Sequence, residues 1–221
     1  MALAIGDSIL TRRSDEPRRH NELLPVFIDE LFVEADVPVS TVDALFWGAG
    51  PGSFTGVRLA ASVSLGLALG ADVGCLAVDS MRATALNAMA AGRASDADRI
   101  DAVAVLVDAR MSQCYGAFYP CDDDGFPRPA IAELMEPHDL PGRLGTASVR
   151  CGDGWALVPA EQPVQGAWVD ATPDAEALLL IGGWEIRRGA LLTQFPEPEY
   201  LIGAGRWKQQ PAQVPGSAPV A

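Results

Sequence analysis

The sequence predicts an α/β protein made of two lobes. Short apolar runs alternate with helix-length apolar segments, a Gly- and Asp-rich segment interrupts this series at Gly92–Asp98, and a new series of strands begins at Ala102–Val107. We therefore expect a first lobe over residues 1–95 and a second lobe over residues 96–205. The end of the chain, residues 206–221, is rich in Pro, Gly and Ala and predicts a flexible tail.

The composition is that of a folded protein with an acidic surface. Hydrophobic residues make up 49% and charged residues 20% of the 221 residues, and 29 Asp+Glu against 16 Lys+Arg give a net charge of −13. Such a surface repels phosphate backbones, so a nucleic acid would need a partner protein to supply the basic contacts. The four cysteines form no C-x-x-C pair, which favours free thiols and a cytoplasmic protein.

The first lobe opens with a predicted β-hairpin and an amphipathic helix. Strands at Met1–Ile5 and Ser8–Thr11 flank Gly6-Asp7, a pair suited to a two-residue turn. A helix follows from His20 or Asn21 to about Glu34. Its apolar positions at i, i+3, i+4 and i+7 are Leu24, Phe27, Ile28 and Leu31, and the neighbouring apolar positions that widen this stripe are Leu23, Val26, Phe32 and Val33.

A glycine-rich motif joins the next predicted strand, Asp43–Trp47, to a second helix that ends near Leu69 with Gly70 as its stop. The motif is GPGSFTGVR, and its serine is placed to cap the helix, whose first turn attracts anions. It lacks the lysine of a P-loop and the glycine spacing of a dinucleotide fingerprint. A tight turn is favoured, and a phosphate-handling loop remains the alternative. The loop residues are Gly50, Pro51, Gly52, Ser53, Phe54, Thr55 and Gly56.

The second helix is apolar on every side. Between Val57 and Leu69 the only charged residue is Arg58, and this stretch is shorter than a membrane span. A helix of this kind is either buried in a large core or shared with another chain. Two interpretations stay open for both helices: they cover the sheet of their own lobe, or they offer an apolar face to the helices of a partner.

The rest of the chain continues the α/β pattern. Short strands between Gly and Pro turns are expected over Glu133–Gln165. The other predicted elements are a strand at Gly74–Val78, a helix capped by Ser80 over Met81–Ala91, a hairpin mate for Ala102–Val107 at Gln113–Tyr119, and a helix at Asp174–Ile181 that extends as far as Trp184.

No catalytic or metal-binding constellation is recognisable. The two histidines, His20 and His138, lie far apart and form no H-E-x-x-H motif, and the serine of the glycine motif does not stand in G-x-S-x-G. Cys114 and Cys151 are expected to be small buried hydrophobes. Asp108 follows a strand, where ligands bind in α/β folds, but capping of the next turn is the favoured interpretation. We expect no catalytic residue, metal or cofactor.

Four segments together resemble the TsaB (YeaZ) family. They are GPGSFTGVR at Gly50–Arg58, HNELLP at His20–Pro25, DARMSQCY at Asp108–Tyr115 and EPEYL at Glu197–Leu201. The resemblance implies the two-lobed ASKHA fold, which is actin-like, Hsp70-like and RNase H-like. It also implies a role in making N6-threonylcarbamoyladenosine at position 37 of tRNAs that read ANN codons.

The same resemblance implies a non-catalytic subunit. Members of this family bind the catalytic TsaD subunit through the first two helices, here Asn21–Glu34 and Phe54–Leu69, and a TsaE-like ATPase joins the pair. The tRNA is then contacted through the complex, no membrane is involved, and the chain alone is a possible homodimer. The implied contact residues are Leu23, Leu24, Phe27, Leu31, Val57, Arg58, Ala61 and Leu65.

The sequence departs from the family at its beginning. The family opens with a strand that ends in an Asp-x-[ST] loop, and the following strand is the one that resembles Met1–Ile5. The absent strand would mirror the start of Ala102–Tyr119 and would leave two neighbours without hydrogen-bond partners. We expect that a start codon assigned too far downstream explains this, and that restoring an upstream in-frame segment raises soluble yield.

Overall fold

The computed structural model describes residues 1–14, 16, 19–94, 100–140, 142 and 144–194. It has the mixed α/β architecture that the sequence predicts. In chain order the elements are β1 Ala2–Ile5, β2 Ser8–Thr11, α1 His20–Ala35, β3 Leu45–Gly50, α2 Phe54–Ala71, β4 Cys75–Asp79, α3 Ser80–Ala94, β5 Ala102–Arg110, β6 Gln113–Pro120, β7 Glu133–Met135, β8 Val149–Cys151, β9 Ala167–Trp168 and α4 Ala175–Arg187, with 3-10 turns at Val39–Thr41, Leu144–Thr146 and Asp153–Leu157.

The first half of the chain contains two separate pairs of strands. β1 and β2 form the predicted antiparallel hairpin, and β3 and β4 are parallel. Alternate residues of β3 face opposite helices, as strand geometry requires. Trp47 and Ala49 pack against Val57 of α2, whereas Phe46 packs against Ile181 of α4. The β3–β4 pair therefore lies between α2 and α4.

The second half forms one five-stranded sheet in the order β7-β6-β5-β8-β9. Its central strand, β5, is antiparallel to β6 and parallel to β8. Val103 and Val105 pack into a core shared with Met81 and Met89 of α3. Ala104 and Leu106 face a second core that contains Trp155. The continuous apolar sequence of β5 follows from this burial on both faces.

Helix α3 connects the two halves through buried polar contacts. It contacts β3 and β4 of the first half and β5, β6 and β8 of the second. Arg82 is 3% exposed, donates from Nε to the carbonyl of Pro127 at 2.7 Å and pairs with Glu185 of α4. Just before the helix, Asp79 accepts a 2.5 Å hydrogen bond from the Tyr119 hydroxyl. Burial, with the Asp79 carboxylate beside it, raises the pKa of Tyr119 well above its usual value.

Two predicted helix boundaries are wrong. Helix α2 passes through Gly70 and ends at Ala71, because Asp72 adopts the left-handed conformation with φ 52° and closes the helix. Helix α3 begins at Ser80, so its cap is Asp79, whose Oδ1 accepts from the backbone N–H of Met81 at 2.8 Å. The Asp79 carboxylate therefore caps the helix, in place of the Ser80 hydroxyl that the sequence predicts.

The remaining differences concern element ends. β3 starts two residues later than predicted and continues to Gly50, and β5 continues past Val107 to Arg110. Helix α3 extends into the expected lobe boundary as far as Ala94, and α4 ends at Arg187. The EPEYL motif, the tail and residues 95–98 of the boundary lie outside the described residues, so the lobe limits stay a prediction.

Two adjacent glycines of α4 provide a test of its packing on β3. A Cβ on Gly182 would lie 2.3 Å from Cδ1 of Phe46, whereas a Cβ on Gly183 would meet only Nη1 of Arg187 at 3.5 Å. Both Gly→Ala changes gain about 1 kcal/mol of helix propensity. Gly182→Ala adds an overpacking cost of about 1–3 kcal/mol. We expect Gly183→Ala to stabilise the protein and Gly182→Ala to destabilise it in urea unfolding; equal effects would contradict this packing.

Candidate functional site

Helix α1 is attached to the first hairpin by charge and by one buried side chain. Arg12, which follows β2, donates to Glu30 at 2.8 Å and also pairs with Glu34. Leu31 is 2% exposed and is the one buried residue of this helix. The pairs with Arg12 are solvent-exposed and contribute about 1 kcal/mol or less. The described residues therefore bury one side chain of α1 fully and leave part of its apolar side at the surface.

The outer side of α1 carries apolar side chains at the surface. Leu23, Leu24 and Phe27 are half-buried. Val26 is 46% exposed and Val33 is 80% exposed. Both valines widen the apolar stripe in the sequence, but neither is among the predicted contact residues. Their exposure shows that the stripe is wider than the sheet beneath it.

Helix α2 buries a single narrow row of residues. Val57, Ala61, Ser64 and Ala68 are buried, at helical spacings of four, three and four residues. Around the rest of the helix, Leu59, Leu65 and Leu67 are half-buried, Phe54 is 57% exposed and Leu69 is 63% exposed.

Helix α2 differs from an ordinary core helix in its exposed charged residue, Arg58, and in its length. The guanidinium carbon of Arg58 lies 3.7 Å from the ring centroid of Phe54, so the cation stands over an exposed aromatic side chain. With 18 residues and a mean hydropathy of 1.4, α2 is longer than the sequence predicts. Among the described residues it is the one helix that is long and apolar enough, by length and composition alone, to cross a membrane.

The eight predicted contact residues divide into two groups. Leu31, Val57 and Ala61 are buried against the chain's own core at 2%, 8% and 8% exposure. They shape the two helices from inside rather than offer surface in the isolated chain. The five that reach the surface are Leu23, Leu24, Phe27, Arg58 and Leu65. The exposed apolar residues that the predicted set left out are Val26, Val33, Phe54 and Leu69.

The glycine-rich loop uses its polar groups within the protein. The backbone N–H of Gly50, a residue with φ 101°, donates to Oγ of Ser80 at 3.2 Å. Ser53 accepts from the N–H of Gly56 at 3.4 Å, which confirms the predicted helix cap. Pro51 is buried, while Thr55 and Gly56 are exposed at the start of α2. The geometry is that of a strand-to-helix turn closed by two serine side chains.

The surroundings of the other candidate residues indicate structural roles. Across the described residues, no three His, Cys, Asp or Glu side chains converge as a metal site. Burial raises the pKa of Cys114 to about 11, with nearby carboxylates contributing, and burial raises that of Cys151 to about 12, so both are inert buried thiols. Asp108 accepts from the N–H of Arg110 at 2.7 Å and so closes its own hairpin. His20 and His138 are exposed.

Fold and surface together define a class of protein, a two-lobed α/β protein that presents two apolar helices, α1 and α2. The sequence is 29% identical over 206 residues to the tRNA threonylcarbamoyladenosine biosynthesis protein TsaB of Escherichia coli, covering 89% of this chain and 87% of that protein. It is also 29% identical over 214 residues to the TsaB of Haemophilus influenzae, covering 89% and 85%.

Two solved structures are also similar to this chain over 90% of its length. YeaZ from Pseudomonas aeruginosa superimposes with a TM-score of 0.75 at 30% identity, covering 90% of this chain and 92% of that one. A second structure, described as an uncharacterized protein from the same organism with similarity to peptidase YeaZ, has a TM-score of 0.77 at 32% identity, with coverage of 90% and 92%. The chain belongs to the TsaB (YeaZ) family, and its fold is of the ASKHA type.

A further match links part of the chain, from before α1 to just after β6, to a catalytic family. Residues 14–123 match the family profile of TsaD, tRNA N6-adenosine threonylcarbamoyltransferase. This match covers about half of the chain and contains α1, α2 and the central hairpin β5–β6. The TsaB proteins match along most of the length, so TsaB is the family and TsaD a related one.

The capping role of Ser53 predicts a specific pattern of stability. Ser53→Ala removes the acceptor for the Gly56 N–H and should lower the free energy of unfolding by about 1 kcal/mol. Ser53→Asp keeps an acceptor and places a negative charge at the helix N-terminus, so its stability should equal or exceed that of the wild type. Urea unfolding of the three proteins checks this. An unchanged Ser53→Ala variant would contradict the cap and leave the hydroxyl free for a ligand.

Proposed function

We propose that this protein is a non-catalytic subunit of the cytoplasmic complex that forms N6-threonylcarbamoyladenosine at position 37 of ANN-decoding tRNAs. In this role it binds and supports a TsaD-like catalytic subunit through α1 and α2. The observation that carries the proposal is the apolar surface of these two helices in a chain that belongs to the TsaB family.

The exposed side chains supply a physical reason for binding. Burying a Val, Leu or Phe side chain contributes about 1.5–3 kcal/mol. Four such residues are at least 46% exposed on the two helices: Val26, Val33, Phe54 and Leu69. A partner that covers them gains several kcal/mol before the cost of association is subtracted. In the absence of a partner, the same residues favour self-association, which supports the possible homodimer.

Charge supports an indirect contact with tRNA. The net charge of −13 opposes direct binding of a phosphate backbone, so the basic surface has to come from another subunit. We place the TsaD-like subunit, together with a TsaE-like ATPase, in that position. The four cysteines are thiols outside any disulfide bond, a state that suits a reducing cytoplasm.

The alternative function, a small phosphate-handling enzyme that uses the Gly50–Gly56 loop, is not favoured. The Gly50 N–H and the Ser53 hydroxyl already have partners inside the protein. Arg58, the only charged residue of α2, lies over the Phe54 ring. The TsaB relatives are named as biosynthesis proteins of a tRNA modification, and the proposal that the chain acts as an accessory subunit is consistent with that name.

Capture of the cognate TsaD-like subunit tests the proposed contact. We expect Leu24→Asp and Leu65→Asp to weaken capture at least about ten-fold, because a carboxylate buried in an apolar interface is costly. The matched control is Ile131→Asp in the second half of the chain, since Ile131 is 82% exposed and apolar but lies outside α1 and α2. Capture by the control should equal that of the wild type.

A second pair of variants separates loss of contact from loss of folding. Val33 and Leu69 are 80% and 63% exposed, so the neutral changes Val33→Gln and Leu69→Gln should leave the melting temperature unchanged. If the surface around them touches the partner, both weaken capture in the same assay. The proposal fails if all four helix variants, with melting temperatures like the wild type, capture the partner as well as the Ile131→Asp control does.

A further inference from the structure

One carboxylate of helix α1 differs from the others in having no partner inside the protein. The helix carries Glu22, Asp29, Glu30 and Glu34. Three of these side chains pair with arginines: Glu22 with Arg19 at 3.0 Å, Glu30 with Arg12 at 2.8 Å, and Glu34 also with Arg12. Asp29 is exposed, and among the described residues it makes no hydrogen bond or ion pair. Its charge is therefore balanced by water alone.

The neighbours of Asp29 on the helix surface are all apolar. Residues three and four positions apart lie side by side on an α-helix. For Asp29 these positions are occupied by Pro25, Val26, Phe32 and Val33, and the helix has no basic residue between Asn21 and its end at Ala35. Val26 is 46% exposed and Val33 is 80% exposed. The unpaired carboxylate thus stands between the two exposed valines of α1.

A partner that covers these valines has to remove water from Asp29 as well. The carboxylate lies between Val26 and Val33, so a surface packed on both side chains displaces the water around it. A carboxylate that loses its water without gaining a charged partner opposes binding. A purely apolar partner surface is therefore a poor fit for this side of α1.

A second copy of this chain is also a poor source of the missing positive charge. Its own α1 would bring further carboxylates towards Asp29, and like charges at an interface oppose association. The one basic residue of α2 is Arg58, whose guanidinium carbon lies 3.7 Å from the ring centroid of Phe54. The chain as a whole has a net charge of −13. The charge complementary to Asp29 is therefore expected from a different protein.

We propose that the partner subunit places a lysine or arginine against Asp29, within the apolar contact, and that Asp29 selects the partner by this charge. The inference rests on the proposed function, which supplies the TsaD-like partner and the use of α1. A candidate partner with a neutral or acidic residue at this point is rejected, because the carboxylate is then buried without a counter-charge. The apolar side chains supply attraction, and Asp29 supplies specificity.

Substitution by leucine tests the charge pair against a purely apolar contact. Asp29→Leu adds apolar area and helix propensity, so an apolar contact alone predicts tighter capture of the cognate TsaD-like subunit. A charge pair predicts the opposite, because the substitution leaves the partner's cation buried and unpaired. We expect both Asp29→Leu and the isosteric Asp29→Asn to raise the Kd at least about ten-fold, mainly through faster dissociation.

The matched controls are the same two substitutions at Asp124, in the loop after β6. Asp124 is exposed and has no hydrogen bond or ion pair within the part of the chain that the structure describes. Asp124→Leu and Asp124→Asn should capture the partner as the wild type does. The Asp29 variants should melt no lower than the wild type, since Asp29 has no contact of its own to lose. Melting temperature therefore separates weaker capture from loss of folding.

The outcomes distinguish this inference from the proposed function. Capture by Asp29→Leu that equals or exceeds that of the wild type, while Val33→Gln weakens it, would overturn the charge pair and leave the proposed function standing. If none of the α1 and α2 variants changes capture, both fail. A third result would also overturn the inference: unchanged capture by the Asp29 variants, together with weaker self-association of the chain alone in sedimentation velocity. That result would place the cation on a second copy of the chain.

Discussion

Helix α2 has more apolar surface than its own sheet covers. The proposed function depends on this excess of apolar surface. Only the row Val57, Ala61, Ser64 and Ala68 is buried. This row of small side chains lets the helix lie close to Trp47 and Ala49 of β3. The larger side chains consequently point elsewhere, and Phe54 and Leu69 remain more than half exposed. Helix α1 repeats the arrangement, with Leu31 alone buried. Both helices keep large apolar side chains at the surface, as expected of elements that another protein completes.

The junction around α3 connects the two halves of the chain behind these helices. Arg82 is almost fully buried, and its contacts with Glu185 and the Pro127 carbonyl are charge-assisted hydrogen bonds. Its guanidinium also lies 4.8 Å from the ring centroid of Trp184. Removing one partner of such a buried pair leaves an uncompensated charge and costs about 3–5 kcal/mol. This buried polar junction therefore ties α3 of the first half to α4 of the second.

The sequence was sufficient to predict the type and order of most elements, because the period of the hydrophobic residues and the chemistry of the turns are local properties. Gly6-Asp7 in the first hairpin, Ser53 as a cap and β5 with its mate β6 are confirmed. The sequence alone did not predict the helix ends and caps that depend on tertiary contacts. Gly70 is a reasonable helix stop, yet Asp72 ends the helix. Ser80 is a reasonable cap, yet its hydroxyl serves Gly50 and Asp79 caps instead. In the candidate site, the apolar patterns of the sequence identified both helices but could not separate buried Leu31 from exposed Val33, because both lie within one wide apolar stripe.

Hydrogen–deuterium exchange of this chain in the presence of its cognate TsaD-like subunit measures the central claim most directly. The account predicts that added protection falls on residues 20–35 and 54–71, the spans of α1 and α2, with the sheet of the second half unchanged. Protection centred on the exposed apolar residues Ile131 or Trp168 of the second half, with none in α1 and α2, would contradict it.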